Sequence, residues 1–385
     1  MENAYIIGVG ETPYGSFPDR SYRDLFAEAT QEALDSANIN PGDIDEVILG
    51  TLGVGGRQIG LSVPAASTYS GIFDVPVTRV ENACAASGHA VRQATQAVRS
   101  GMADIVLAGG FEIMTDMSDD VAKYWLGVSG EMEWERLTGT TFAGVYAQMA
   151  SAYLNEYDVD DEVLSQVAVK NHGNAAKNPD AQLNFTCTIE DAESAPVVAD
   201  PLTLYHCCPT TDGAAAVIVA NESAITNPED AVRIAGIGAS SDHVGVFQRE
   251  SYTRVPASEQ AAQRAYERAD ITPDQLDIAE VHDCFTIAEL LAYEDLGFCE
   301  RGSADEMIIN GVTDPDGELP VNMSGGLKAK GHPIGATGAG QLVELYKQLT
   351  HQAGSRQIDS PTYGLAHNVG GSGGAAVVHI LEGNQ

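Results

Sequence analysis

EATQEALDSANINPGDIDEVILGT, residues 28–51, has a partner in QAAQRAYERADITPDQLDIAEVHD, residues 260–283. At a shift of 232 positions, Ala29, Gln31, Ala33, Ala37, Ile39, Pro41 and Asp45 fall on Ala261, Gln263, Ala265, Ala269, Ile271, Pro273 and Asp277. Two further residues then bring Glu46 and Val47 onto Glu280 and Val281. Each copy reads as an amphipathic helix, a Pro-initiated turn and a buried strand. One helix could match another by chance in Ala-rich sequence, but three elements matching in order indicate a duplicated unit.

The flanks extend the pattern. Strand-like runs precede the copies at Tyr5–Val9 and Val232–Gly236. Ser21 and Asp24 form a capping-box start for the first helix, with Leu25, Phe26, Ala29, Ala33 and Ala37 on one face. Further strands are expected at Val77–Glu81, Asp104–Ala108, Ala214–Ala220, Tyr363–Ala366 and Ala375–Leu381, with helices at Gly88–Arg99 and Gly338–Leu349. Apolar strands alternating with helices predict an α/β fold of mainly parallel sheets covered on both faces. The stretch 117–205 is more polar, holds Trp125 and Trp134, and is too long for a plain connection. It reads as an inserted lobe on the first half, either a helical decoration or a lid over a substrate tail. The expected division is 1–116 with 206–225 as a first half, 117–205 as the insertion, and 226–385 as a second half.

Composition removes several function classes. Across 385 residues, 20 Lys+Arg face 55 Asp+Glu, a formal net charge of −35. Phosphate backbones need a basic face, so nucleic acid is excluded as a partner, and anionic membranes are disfavoured. The acidic residues are dispersed, and there are only six lysines beside fourteen arginines. Such an excess resembles proteins of salt-loving cells, where salt screens the self-repulsion. No basic, apolar leader opens MENAYIIGVGETPYG, and runs such as Ala214–Ala220 are too short to span a bilayer. The six cysteines, at 84, 187, 207, 208, 284 and 299, show no framework spacing and no CxxC pair. A cytoplasmic protein with reduced thiols and no metal site is the expectation.

Four segments carry candidate chemistry. VENACAASGHAV puts Cys84 between a strand and a helix N-terminus, a place that lowers a thiol's pKa. EVHDCF, 280–285, ends the second repeat's strand; NMSGGLKAKGHPIGATGAG spans 322–340; GLAHNVGGSGG, 364–374, is a glycine-dense turn able to present backbone N–H groups. No GxGxxG follows the first strand and no GxxxxGK[ST] occurs, so nucleotide loops are absent. Plainer readings suit other residues. His89 enters its helix and faces away; Cys207 and Cys208 pack as thiols; Lys328 and Lys330 either neutralise phosphate or stay solvated. Asp212 and Gly213 shape a turn.

Taken together, Cys84 in its NxCxxSG-like setting, HDCF at 282–285, GHPIGATG at 331–338 and the terminal GLxHNxGxxGG resemble the thiolase superfamily over essentially the whole chain. HDCF resembles the sterol-carrier-protein-type and archaeal branches. The resemblance implies a five-layered α-β-α-β-α fold and ping-pong acyl transfer between coenzyme A thioesters, without a further cofactor. It implies Cys84 as nucleophile, His332 as the base that activates it, and His282 as a donor to the second thioester's carbonyl. Backbone N–H groups of Cys84 and of the turn near Gly370 would stabilise the first oxyanion. Many thiolases carry a second cysteine in the terminal turn; here it reads His367-Asn368-Val369-Gly370. Cys284 or His282 then remains as the α-proton base, because an adjacent imidazolium would acidify the Cys284 thiol, whereas the backbone of His367 rather than its ring is expected to line the site. A Cys–His–His set also resembles ketosynthases and hydroxymethylglutaryl-CoA synthases. The resemblance further implies a homo-oligomer, a dimer or tetramer, and a possible complex with a small OB-fold protein; a non-catalytic scaffold is the remaining alternative.

Overall fold

The computed structural model describes residues 3–384. Its strands are β1 (Ala4–Glu11), β2 (Glu46–Gly50), β3 (Val77–Val80), β4 (Ile105–Glu112), β5 (Val197–Ala199), β6 (Leu202–Thr203), β7 (Gly213–Asn221), β8 (Val232–Ser241), β9 (Ile278–Glu280), β10 (Tyr363–Gly370) and β11 (Ala375–Glu382). The helices of the first half are α1 (Tyr22–Ala37), α2 (Ser62–Tyr69) and α3 (Ala86–Arg99). Between β4 and β7 lie α4 (Asp119–Gly127), α5 (Phe142–Tyr157), α6 (Glu162–Ala175) and α7 (Ile189–Glu193). The second half carries α8 (Pro256–Ala269), α9 (Thr286–Asp295), α10 (Ala304–Ile309), α11 (Gly326–Ala329) and α12 (Thr337–Leu349).

The duplication is visible in side-chain roles. Ser21 and Asp24 close the capping box at the start of α1. α1 and α8 both end on a left-handed residue, Asn38 and Asp270. The Asp45 carboxylate accepts from the backbone N–H of Asp104 and Ile105, both at 2.9 Å. Asp277 does the same for Thr362 and Tyr363, at 2.7 and 2.8 Å. The shift of 232 therefore runs unbroken into the strands, with Glu46 equivalent to Ile278. The two-residue adjustment that matched Glu46-Val47 to Glu280-Val281 is a coincidence of sequence.

The main sheet has the order β3-β2-β4-β7-β1-β8-β11-β10-β9. Only β3–β2, β2–β4 and β10–β9 are parallel; the other five pairings are antiparallel. The expectation of mainly parallel sheets is thus overturned. Continuous apolar runs arose because helices cover both faces, and two-sided burial is indifferent to strand direction. β1 and β8 share just two residue pairs, Tyr5↔Arg233 and Ile6↔Val232, which join two half-sheets.

Three cores show the layering. Leu25, Phe26 and Ala33 of α1 pack on Val47, Leu49, Leu107 and Ile218 of the first half-sheet. Ala90, Val91 and Ala94 of α3 and Leu342, Leu345 and Tyr346 of α12 fill the centre, touching strands of both half-sheets. Ala261 and Ala265 of α8 and Leu290 of α9 pack with Leu365, Val378 and Ile380 on the far side. The result is α-β-α-β-α. Met149 and Tyr153 of α5 and Leu164 and Val167 of α6 join this third core, so the 117–205 stretch is anchored on the second half.

Candidate active site

Beyond β3 the chain turns at Ala83, whose φ of 50° is unusual for a residue with a Cβ. Its N–H is fixed by the Glu81 carboxylate at 2.6 Å, and Ala85 and Ala86 bond back to the Asn82 and Ala83 carbonyls. This tight turn presents Cys84 just ahead of α3, which begins at Ala86 rather than Gly88. The N-termini of the two central helices meet here. A Cβ on Gly338 would lie 2.5 Å from the Gly88 backbone nitrogen and 2.2 Å from Asn368 Oδ1, so glycine is required for the approach.

Cys84, His282 and His332 converge, with a sulfur or ring nitrogen from each within 4.8 Å of the others. All three are buried. The imidazoles stand edge to face, ring centres 5.2 Å apart. Hydrogen bonds assign their tautomers. The Thr337 hydroxyl donates to the Pro333 carbonyl at 3.0 Å, so it accepts from His332 Nδ1 at 2.7 Å. His332 Nε2 is then a bare acceptor. Asn368 Nδ2 donates to the Cys84 carbonyl at 2.9 Å and sits 3.4 Å from His282 Nδ1, which therefore accepts. His282 Nε2 carries the proton and has no hydrogen-bond partner among the described residues. One ring can take a proton while its neighbour offers a hydrogen bond.

Burial sets the charges. It pushes the Cys84 thiol up to about 12, against a backbone N–H from Gly371 that favours the thiolate. The helix N-terminus would lower this thiol, but burial is the largest influence on it and acts in the opposite direction. Burial holds His332 down to about 3 and takes His282 well below its ordinary range. No imidazolium stands beside Cys284, and that thiol is driven well above its usual value, first by burial. The backbone N–H that favours the Cys84 thiolate belongs to Gly371; Gly370, the residue singled out from sequence, closes β10 one position earlier.

Other expectations are corrected or refined. Lys328 and Lys330 are buried, not solvated. Lys330 pairs with Glu11 at 2.8 Å, while Lys328 lies 3.4 Å from His172 Nε2 and over the Tyr205 ring. The ring of His367 faces inward beside His282, bonded to Ser258 at 2.8 Å, so this side chain and not only its backbone borders the site. His89 faces away, toward His379 and Arg92. Cys207 and Cys208 are half-buried. The Asp212 carboxylate fastens the backbone of Met114 and Thr115.

Sequence reasoning missed several contributors. Glu112 accepts from the backbone N–H groups of Leu52, Gly53, Val54 and Gly335, at 2.8 to 3.1 Å. It thereby ties the loop after β2 to the GHPIG segment. Leu52, Val54, Met114 and Ile334 form an apolar shell around Cys84, joined by half-buried Met117, Trp125 and Leu126. Tyr146, buried in α5, stacks on Phe285 and donates to the Gly371 carbonyl at 3.2 Å. Thr337 was within reach, lying inside GHPIGATG; Tyr146, in a plain Ala-rich helix, carried no signal.

Residues 4–223 match the sequence family described as thiolase, N-terminal domain, and residues 238–383 match thiolase C-terminal domain-like. The chain is 41% identical over 385 residues to an acetyl-CoA acetyltransferase of Methanothermobacter thermautotrophicus, covering 99% of this chain and 100% of that one. It is 42% identical to an acetyl-CoA acetyltransferase of Methanocaldococcus jannaschii, with 99% of each covered. Human sterol carrier protein 2 is 32% identical, over 99% of this chain and 72% of its own. Among solved structures, an Ltp2-ChsH2(DUF35) aldolase superposes with a TM-score of 0.86 at 26% identity, covering 100% of this chain and 98% of the other. With both thiolase domains matched end to end around a buried Cys–His–His centre, the chain belongs to the thiolase family.

Proposed function

We propose that this thiolase is an acetyl-CoA C-acyltransferase, joining two acyl-CoA molecules into a 3-ketoacyl-CoA and free CoA, and reversing that reaction. The observation that carries the reading is the complementary pair of tautomers around Cys84: a bare Nε2 on His332 and an Nε2–H on His282. Cys84 attacks the first thioester as its proton passes to His332 Nε2, so charge separates only during the step. The Gly371 N–H favours the Cys84 thiolate, and the glycine turn from Gly370 supplies the donors for the oxyanion. Cys284, once a thiolate, takes the α-proton of the second acetyl group. His282 Nε2–H stabilises the enolate, which attacks the acyl carbon on Cys84 as the bond to the Cys84 sulfur breaks.

Acetyl-CoA alone releases free CoA, and a mass shift of one acetyl group appears on Cys84. Stable label on another cysteine, with Cys84 unmodified, overturns the assignment. Faster turnover with a malonyl thioester than with acetyl-CoA would favour a decarboxylating ketosynthase instead.

A second reading is favoured by the structural neighbour, an Ltp2-ChsH2(DUF35) aldolase. On it, the chain works as one subunit with a small OB-fold partner that holds CoA. Activity of the purified chain, measured before and after adding such a partner, separates the two. The same proposal takes the chain as a cytoplasmic homo-oligomer, with 1–116 and 206–225 as one thiolase half, 117–205 as an inserted lobe, and 226–385 as the other.

A further inference from the structure

Asn171 lies in α6, inside the 117–205 stretch, yet its side chain reaches the HDCF loop. It is fully buried, and its amide nitrogen donates to Asp283 Oδ2 at 2.7 Å and to Glu289 Oε2 at 2.6 Å. A side-chain amide has two N–H groups, and here each goes to a different carboxylate. Both neighbours are acceptors, so the nitrogen faces them; Asn171 Oδ1 has no hydrogen-bond partner among the described residues. Asp283 stands between His282 and Cys284. It also accepts from the backbone N–H groups of Leu327 and Lys328, at 2.6 and 3.2 Å. Its carboxylate fills the space a Cβ on Gly326 would need, 2.2 Å from Oδ2. Glu289, in the first turn of α9, pairs with Lys170 at 2.8 Å and accepts from Asn322 Nδ2 at 2.7 Å. Asn322 Oδ1 in turn accepts the Val281 N–H at 2.8 Å. The loop that carries His282 is thus held from both sides, and Asn171 joins the two holds.

We propose that Asn171 is a positioning residue for the condensation step: by bridging Asp283 and Glu289, it sets where the His282 ring stands against the second acetyl group. This rests on the reading of His282 as the donor that stabilises the enolate. The need for a bridge is electrostatic. Two carboxylates are buried side by side, and among the described residues an ammonium pairs with Glu289 alone. Burial raises the Asp283 carboxyl above its ordinary range, and Glu289 raises it further. One nitrogen with two N–H groups lets both carboxylates approach while each keeps a donor. Without it, Asp283 turns away from Glu289 and carries the backbone between His282 and Cys284 with it. The acylation machinery is held elsewhere. Glu81, Asn82 and the Asn368 amide fix the Cys84 turn, and Thr211 and Thr337 fix His332.

The test follows two steps separately in the intact chain: single-turnover acetylation of Cys84, and attack of acetyl-CoA on the preformed acetyl-enzyme. A misplacement of about 1 Å at a reacting group can cost about a hundredfold in rate. Asn171→Ala is therefore expected to lower the maximal rate of condensation by about tenfold to a hundredfold, while acetylation stays within about twofold. The acetyl-CoA concentration that gives half the maximal condensation rate should change little. Asn171→Asp keeps the shape but removes both N–H groups, so it must take up a proton before it can bond either carboxylate. Its condensation deficit, measured against the parent at each pH, is expected to shrink as the pH is lowered, with acetylation level throughout. This variant serves if Asn171→Ala fails to fold.

Wild-type condensation in Asn171→Ala, equal loss of the two steps, or a deficit in Asn171→Asp that is the same at every pH overturns the bridge. His282→Ala separates the two levels. If it slows acetylation as much as condensation, or spares condensation, the role given to His282 falls. If it slows condensation selectively while the Asn171 variants stay wild-type, only this inference falls.

Discussion

Burial governs Cys84 and His332 together, raising the thiol to about 12 and lowering the imidazole to about 3. Both are neutral between those limits, so neither gains or loses a proton on its own across the accessible range. We expect single-turnover acylation to be flat with pH inside this window; a limb with its midpoint near the free thiol or imidazole value would show that the pair is not held neutral. The tautomers assign different work to the two histidines. His332→Ala should slow both acylation and condensation, whereas His282→Ala should hurt condensation more, because only His332 offers a bare nitrogen to the nucleophile. Losing one preorganised oxyanion donor typically costs about 10²–10³ in rate, and equal loss of acylation in the two variants would overturn the division. The convergence of Cys84, His282 and His332 was legible in sequence because each sits in a short glycine- or aromatic-marked motif. Their protonation states were not, since desolvation depends on how deeply the loops close over them. Tyr146 and Glu112 were hidden for a related reason: their partners, Gly371 and Leu52–Val54, come from remote segments.

At the scale of elements, the repeated helix–strand contact is built on paired glycines. A Cβ on Gly8 would meet the Ala33 carbonyl oxygen at 2.6 Å, and one on Gly10 would meet that of Ala29 at 2.2 Å. In the second copy, Gly236 would meet Ala265 at 2.2 Å and Gly238 would meet Ala261 at 1.8 Å. The neighbours are backbone, which cannot swing aside. Gly238→Ala should destabilise by at least the ~1–3 kcal/mol typical of overpacking. Gly173→Ala is the control, because that glycine lies inside α6 with nothing within 4 Å of the added carbon. It should stabilise by ~0.5–1 kcal/mol. Denaturant melts of both variants check this, and equal effects would mean that the close helix–strand approach does not hold. The helix, turn and strand of each copy were readable because local period and turn chemistry specify them. Strand direction was not, because β4 and β7 are separated by the 117–205 excursion and pair antiparallel only when it returns. Nor did the sequence show that Asp45 and Asp277 hold the register: the two-residue slip looked better by identity than the alignment these carboxylates enforce.

For the molecule as a whole, the fold sharpens the charge imbalance that the composition already shows. The net charge is −35, and three of the six lysines, Lys170, Lys328 and Lys330, are buried, Lys170 against Glu289 at 2.8 Å and Lys330 against Glu11. These cations serve the interior and do little to neutralise the surface. Exposed carboxylates therefore repel one another with few cations between them, a cost that grows as the screening length grows. That length is about 10 Å at 0.1 M salt and about 3 Å at 1 M. The melting temperature and the acyl-transfer rate should both rise from dilute buffer to molar KCl, and most of the gain in melting temperature should come where the screening length falls below the spacing of the charges. A flat melt over that range would count against the argument. To separate screening from a general effect of salt on apolar burial, exposed Glu229, Asp274 and Glu300 can be changed together to lysine, each swap adding two positive units. If repulsion is the cause, the triple variant melts higher than the parent in dilute buffer, and the difference closes in molar KCl. If salt acts instead through apolar burial, the two proteins gain equally and their melting curves stay parallel.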